Sequence, residues 1–282
     1  MAVSGISNAS QVIAGSNHTC AILSNGTMKC WGNPDISGRL GDGTIDAHAP
    51  VTVTGVTNAV EISLGTNQAC ARISDGTVKC WGNAYKGDGT WNTIGATPAQ
   101  IQGISGAVQI ISGYRNTCAR LSDGSLKCWG QGYYNNLGLG HRDGSSVPVS
   151  VPGVSGVTDA GQGYYYSYCA VISGGSVKCW GENQHALLGD GNNYYSGRSL
   201  LPVSVSGLSN VTQIVTGWDH SCALISGGSA KCWGKNGYGQ LGDNSKTSSA
   251  TPVSVSGLSG VSELTAGIDF TCARLSDGTA KC

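Results

Sequence analysis

The residues best suited to chemistry are twelve cysteines in six identically spaced pairs. Cys20 and Cys30 bound nine residues. The spacing returns at Cys70 and Cys80, Cys118 and Cys128, Cys169 and Cys179, Cys222 and Cys232, and Cys272 and Cys282. Such a pair has three uses: a metal half-site, a redox couple or a covalent staple. Zinc sites are built from close ligand pairs such as C-x2-C, and the chain has only five His to complete them. A dithiol redox site calls for C-x-x-C, which is absent. A disulfide within each pair is the leading expectation. Packed reduced thiols and a metal site are the alternatives. Twelve oxidised cysteines imply an oxidising compartment, so the expected location is extracellular or the cell surface.

Other reactive constellations are missing. No Gly-x-Ser-x-Gly elbow occurs, and the histidines are scattered. Asp42, Asp88, Asp190 and Asp243 stand beside glycines, where turn chemistry explains them better than calcium. Leu137-Gly138-Leu139-Gly140-His141 imitates a dinucleotide loop but lacks its third glycine. No enzyme activity, metal or cofactor is expected. Formal net charge is zero and only 11% of residues are charged, which argues against a nucleic-acid partner. No segment reaches the roughly 20 apolar residues of a membrane span. The opening MAVSGISNAS has neither the basic start nor the apolar core of a signal peptide. Either the protein is cytosolic or this is a mature or excised form with an added Met, and the paired cysteines favour the second. Five copies follow their second Cys with Trp-Gly, whereas Cys282 ends the sequence, which suggests a piece of a longer protein or a designed boundary.

The cysteines are positioned by a tandem repeat. Their first members stand 50, 48, 51, 53 and 50 residues apart, a period that marks a repeat architecture. The copies begin near Gly5, Gly55, Gly103, Gly153, Gly207 and Gly257. In the fifth, TQIVTG, SCALI, SAKCWG and PVSV are short, rich in Val, Ile and Thr, and bounded by Gly, Ser and Asp. Four strands per copy predict propeller blades. The expected fold is all-β: one β-propeller domain over 1–282, with six four-stranded blades. Met1-Ala2-Val3 aligns with the fourth strand of the other copies, so it is expected to complete the last blade and close the ring.

Hairpin register bears on the cysteines. Leu23-Ser24-Asn25-Gly26-Thr27 fits a three-residue loop with a left-handed glycine last. Leu23 then faces Thr27, Ile22 faces Met28, Ala21 faces Lys29 and Cys20 faces Cys30. The cysteines fall on a non-hydrogen-bonded rung, where Cα atoms approach to about 4.5 Å. The other copies carry Ser-Asp-Gly or Ser-Gly-Gly at the turn, so all six pairs are expected to oppose.

CARISDGTVKCWG (70–82) and KCWGKNGYGQLGD (231–243) resemble the regulator of chromosome condensation repeat, in its cysteine-paired bacterial form. The resemblance covers essentially the whole chain and implies a propeller. Its functional implications are diverse. The eukaryotic founder of the family catalyses nucleotide exchange on a small GTPase and binds chromatin. A plant ultraviolet-B photoreceptor uses Gly-Trp-Arg-His-Thr repeats, which only Gly217-Trp218-Asp219-His220-Ser221 approaches here. A secreted bacterial β-lactamase inhibitor binds its enzyme through aromatic residues on one face.

Residues that break a repeat mark what the scaffold does not require. The repeated Trp31, Trp81, Trp129, Trp180 and Trp233 are expected to be structural. The repeated Lys before each second Cys is expected to lay its stem on the surface with its head in water. Between first and second strands, copies three to six carry Tyr114-Arg115, Tyr164-Tyr165-Tyr166, Trp218-Asp219-His220 and Ile268-Asp269-Phe270. Equivalent loops share a face. Tyr114, Tyr164, Tyr165, Tyr166, Trp218 and Phe270 are the candidate partner-binding rim, with Arg115, Asp219, His220 and Asp269 setting its polarity. Loops between third and fourth strands add Tyr85, Trp91, Tyr133, Tyr134, Tyr194, Tyr195 and Tyr238, expected on the same side. Aromatic rims supply contact area at low entropic cost. A protein partner is the leading expectation, a glycan the alternative, and self-assembly a structural third.

Overall fold

The computed structural model describes residues 3–33, 38–44, 49–83, 85–91, 94–163, 166–192 and 197–282. They form six antiparallel sheets, each from one sequence copy. The fifth contains Val211–Thr216, His220–Ile225, Ser229–Gly234 and Ser249–Ser254 in that order, matching the expected pieces to within a few residues. The only helical element among the described residues is a 3-10 turn, Gln184–Ala186. The chain divides into two compact units. The first comprises residues 1–131 and 143–150; the second, residues 132–142 and 151–282. Each holds three blades.

Five sheets have four strands and the sixth has three: Val261–Ala266, Thr271–Leu275 and Ala280–Lys281. Of the three residues expected to complete it, Met1 and Ala2 lie outside the described residues, and Val3 is exposed and in no strand.

The hairpin register is the expected one. Leu23 N donates to Thr27 O at 2.8 Å, and Ile22 faces Met28, Ala21 faces Lys29 and Cys20 faces Cys30. All six pairs are disulfides. Cys20 is bonded to Cys30, Cys70 to Cys80, Cys118 to Cys128, Cys169 to Cys179, Cys222 to Cys232 and Cys272 to Cys282, each with Cα atoms 4.1 Å apart. The turn acids cap the bend: Thr77 donates its amide to Asp75 Oδ1 at 2.9 Å. The Thr77 hydroxyl and that amide hold the carboxyl below its usual range. The Ser-Gly-Gly copies turn differently. Gly174 and Gly175 both have positive φ, +91° and +75°, so the middle residue sits where a non-glycine is strained.

The repeated Lys does more than shield the surface. Lys29, Lys79, Lys127, Lys178 and Lys231 donate Nζ to the carbonyls of Gly5, Gly55, Gly103, Gly153 and Gly207 at 2.7–3.2 Å. Each ammonium ties its hairpin to the turn entering its own blade. The head stays at the exposed surface as expected, and one of its three donors is taken by the turn carbonyl within reach of the extended stem. The Gly-Asp loops are turn-capped as expected: Thr44, Thr90, Asn192 and Ser245 donate amides to Asp42, Asp88, Asp190 and Asp243, all at 3.0 Å.

The core lies between successive blades. One cluster joins Cys20, Ile22, Met28 and Cys30 of blade one to Ile62, Ala71 and Trp81 of blade two. A second joins Cys70, Val78 and Cys80 of blade two to Ile110, Ala119 and Trp129 of blade three. Another joins Cys169, Val171 and Cys179 of blade four to Ile214, Ala223 and Trp233 of blade five. Disulfides thus serve as apolar packing as well as staples. Trp81, Trp129, Trp180 and Trp233 are fully buried. Each lies against a loop glycine of the preceding blade, namely Gly41, Gly87, Gly138 and Gly189; a Cβ there would meet the indole at 2.4–2.8 Å. Three of these indoles donate to a carbonyl two residues before that glycine: Arg39 O at 2.9 Å, Asn136 O at 3.1 Å and Leu187 O at 2.8 Å.

Candidate functional site

In the second unit the loops after the first strands of blades five and six meet. Trp218 N donates to Ile268 O at 3.3 Å. The turn after the third strand of blade four and Lys235 of blade five complete a cleft lined by Gln184, His185, Trp218, Asp219, Lys235, Ile268 and Asp269, with a volume of about 290 Å³. The two loop classes therefore share a side here, as expected.

The polar floor is an ion cluster. Lys235 Nζ lies 3.3 Å from Asp219 Oδ2 and 4.0 Å from Asp269 Oδ1. His185 Nε2 lies 3.9 Å from the same Asp219 oxygen. Lys235 is anchored through its backbone too, its amide donating to Asp219 O at 2.8 Å. Gln240 Nε2 donates to Asp269 Oδ1 at 3.3 Å. Apolar residues flank the cluster: Ile268 is 51% and Phe270 56% exposed. Large exposed apolar groups and fixed charges are what recognition surfaces combine, because ring and alkyl groups gain from desolvation while charges set orientation.

The expected rim residues are distributed unevenly. Trp218, Asp219 and Asp269 line the cleft, and exposed Phe270 follows Asp269 in the chain without lining it. His220 does not face the surface. It is fully buried, with Nε2 2.8 Å from Thr271 Oγ1. It is the first residue of its strand and turns to Thr271 inside the blade layer, which corrects its assignment to the rim; Asp219 before it is also largely buried but lines the cleft. Tyr166 is also mostly buried, stacked on Tyr134 with centroids 3.9 Å apart. The Arg198 guanidinium sits 4.8 Å from the Tyr134 ring centre. Those aromatics pack loop against loop, which removes Tyr166 as an exposed anchor. Tyr164 and Tyr165 lie outside the described residues, as do Tyr194 and Tyr195. In the first unit, Tyr114 and Arg115 are half-buried, and the guanidinium lies 5.3 Å from the Tyr114 ring centre. Tyr133 and Tyr238 are strongly exposed.

Of the cleft residues, His185 and Lys235 are not among those the loop breaks point to, while Ile268 stands in one of those loops without being assigned to the rim. A signal exists for Lys235: the residue after Trp-Gly is Asn33, Asn83, Gln131 and Glu182 in the earlier copies and turns basic only in the fifth. Among the described residues no group of three or more His, Cys, Asp and Glu is placed to hold a metal ion, and no helix is long and apolar enough to cross a membrane.

Burial lowers the His220 pKa to about 4 against the opposing pull of Asp269 and Asp219. Burial, helped by the Arg39 charge, does the same to His18 in the first unit. Both are neutral when folded, whereas the unfolded chain protonates them near pH 6.5. Their stabilising contribution is complete above that pH and is lost as pH falls toward 4, by roughly 2 kcal/mol per histidine at pH 5. Urea unfolding at pH 7 and pH 5 should show this drop, and His220→Gln should remove its share of the difference.

Solved structures with this fold include yeast RCC1 (Prp20) bound to Kap60. It matches with a TM-score of 0.79 at 21% identity, over 96% of this chain and 68% of that one. Human WBSCR16 matches with a TM-score of 0.77 at 23% identity, over 93% and 71%. At these identities the likeness concerns the fold, which is the all-β propeller class with six blades in this chain. Among curated proteins, the ultraviolet-B receptor UVR8 of Arabidopsis thaliana is 34% identical over 113 residues, 39% of this chain and 25% of the receptor. The human E3 ubiquitin-protein ligase HERC2 is 34% identical over 116 residues, 40% of this chain and 2% of the ligase. The chain thus spans a quarter or less of the length of these relatives. The regulator of chromosome condensation (RCC1) repeat model matches residues 123–170, 174–224 and 228–274, more than half of the chain. A second model of that repeat matches 10–35, 107–136 and 211–240. With six copies of that repeat folded as six stapled blades, the chain belongs to the regulator of chromosome condensation repeat family.

Proposed function

We propose that the protein is an extracellular, disulfide-stapled scaffold that binds a protein partner through the cleft face of its second unit. The observation that carries this reading is the cleft itself: an Asp219–Lys235–Asp269 ion cluster flanked by Trp218 and by exposed Ile268 and Phe270. Fixed charge and exposed apolar groups are what a protein interface uses for orientation and affinity. Protein binding is also recorded for a similar propeller, yeast Prp20, which was solved bound to Kap60 and studied for binding to Gsp1p and histones. Six disulfides with no free cysteine support an oxidising compartment, since cytosolic thiols are kept reduced.

The test is capture from the native environment followed by affinity measurement with single variants. Phe270→Ala removes an exposed ring without touching the core, and Trp218→Ala removes a cleft wall. Each should weaken binding at least tenfold, since a buried aromatic anchor is worth about 2 kcal/mol on truncation. A change at Thr66 should leave affinity unaltered. Competition by free sugars would favour the glycan reading. Unchanged binding by both cleft variants would move the site away from this face.

A further inference from the structure

Internal repetition marks one blade boundary where leucines replace smaller or polar residues together. The loop glycines Gly41, Gly87, Gly189 and Gly242 are followed by Asp42, Asp88, Asp190 and Asp243, whereas Gly138 of blade three is followed by Leu139. The next residue in four of these loops, Gly43, Gly89, Gly140 and Gly191, donates its amide to the outer strand of the following blade. The acceptors are Ala96 O, Ser146 O, Leu200 O and Ala250 O, at 2.9–3.0 Å. After the acceptor come Thr97, Val147, Leu201 and Thr251. Of these four boundaries, only the one between loop three and blade four has leucine at all three positions. Strand alternation would turn one of two neighbours inward, but Leu200 is 40% and Leu201 48% exposed. The ladder skips between Ser199 and Val203, and this bulge leaves both outside. Leu201 lies on the loop that carries Leu139, since a Cβ at Gly140 would meet its Cδ2 at 3.5 Å. The same strand carries Arg198, whose guanidinium sits on Tyr134, and Tyr134 meets the strongly exposed Tyr133 edge-on at 5.4 Å. The result is one apolar band within the second unit, sharing no residue with the cleft.

We infer that this band is a contact surface for the same band of a second copy of the chain, the two packed about a two-fold axis. Sister blades keep Asp, Ala and Thr at these places, the kind of choice that stops sheet edges from associating; here that protection is withdrawn at three positions at once. Charge favours a like surface. The one cation of the band, Arg198, is held by Glu182 with Nε 2.8 Å from Oε2, and the chain has a formal net charge of zero, so nothing repels a second copy. An added strand from another protein is a poorer occupant. Pro202 has no N–H to offer, Leu200 O already accepts from Gly140 N, and Leu201 O accepts the Ser199 hydroxyl, so the edge has few groups left for a new ladder. An isologous contact brings leucine and tyrosine from both sides to one seam. The band is small beside the about 800 Å² per partner of a stable complex, so the dimer is weak and forms with concentration.

The test is analytical ultracentrifugation of the 282-residue chain from about 10 μM to about 1 mM, the weak end of specific association. The weight-average mass should rise from one copy toward two. The double variant Leu200→Ala, Leu201→Thr carries the residues that blade five has at these places, Ala250 and Thr251, and an unchanged urea midpoint checks that it folds. It should weaken dimerisation at least tenfold, as loss of a central apolar contact does. Leu139→Asp restores the acid of the sister loops and should act in the same direction. Val60→Thr, at an exposed valine of the first unit, should leave dimerisation unchanged. A mass that stays at one copy throughout overturns the inference and leaves the band to a sugar or a foreign protein. Association that persists undiminished in both leucine variants, or that falls as much with Val60→Thr, overturns it as well.

Discussion

Complete reduction of the six disulfides is expected to abolish the cooperative unfolding transition. Each staple closes a loop of eleven residues, Cys20 to Cys30 and its equivalents, worth about 2.5–3 kcal/mol in the chain-entropy model. Six such increments exceed the roughly 5–15 kcal/mol that hold a typical domain together. The sheets offer little to compensate, because their strands run five to seven residues in most blades and the disulfides themselves sit in the inter-blade core. Reduction also follows an order. Cys222 and Cys232 are buried, as are the pairs before them, from Cys20 and Cys30 through Cys70, Cys80, Cys118 and Cys128 to Cys169 and Cys179. Cys282 is exposed and Cys272 half-buried. Mild reductant on the native chain should open Cys272–Cys282 first and add two alkyl groups by intact mass. Twelve should appear only with denaturant present. Early labelling spread evenly over all twelve cysteines would contradict the burial pattern.

The second large effect is expected at the buried indoles. Trp233→Ala should cost about 3–5 kcal/mol, the usual range for emptying a large aromatic core site. The side chain is fully buried, fills the space against Gly189 and donates to Leu187 O at 2.8 Å, so its loss leaves both a cavity and an orphaned acceptor. Trp31→Ala is the internal control. The residue type and repeat position are the same, but Trp31 is only half-buried, and its loss should cost a fraction as much. Denaturant midpoints of the two variants give the comparison directly. Equal losses would mean that the indole matters for the blade that carries it and not for the blade in front.

Much of the fold was legible because repetition averages out local noise. One hairpin is an ambiguous signal, but six copies of Cys-x9-Cys around a Gly-closed turn restrict register to one solution, and the structure has it. The candidate site was only partly legible, for a related reason. Breaks in the repeat located Trp218, Asp219, Asp269 and Phe270, yet they do not say which way a side chain turns. His220 and Asp219 are neighbours and both largely buried, yet His220 turns to Thr271 while Asp219 lines the cleft. Tyr166 broke the pattern as visibly as Trp218, and its ring is spent on stacking against Tyr134.

By itself the sequence determined the all-β class, the blade count, the hairpin turns and the cysteine pairing, because these depend on contacts within about a dozen residues whose geometry is set by turn type and strand alternation. Only the tertiary structure decided what lies across a blade boundary. Lys235 of the fifth copy reaches Asp219 of its own copy and Asp269 of the sixth, and Trp233 finds Leu187 O across 46 residues. Those placements depend on how sheets stack and side chains fill the layer between them, and packing of that kind has no periodic trace along the chain.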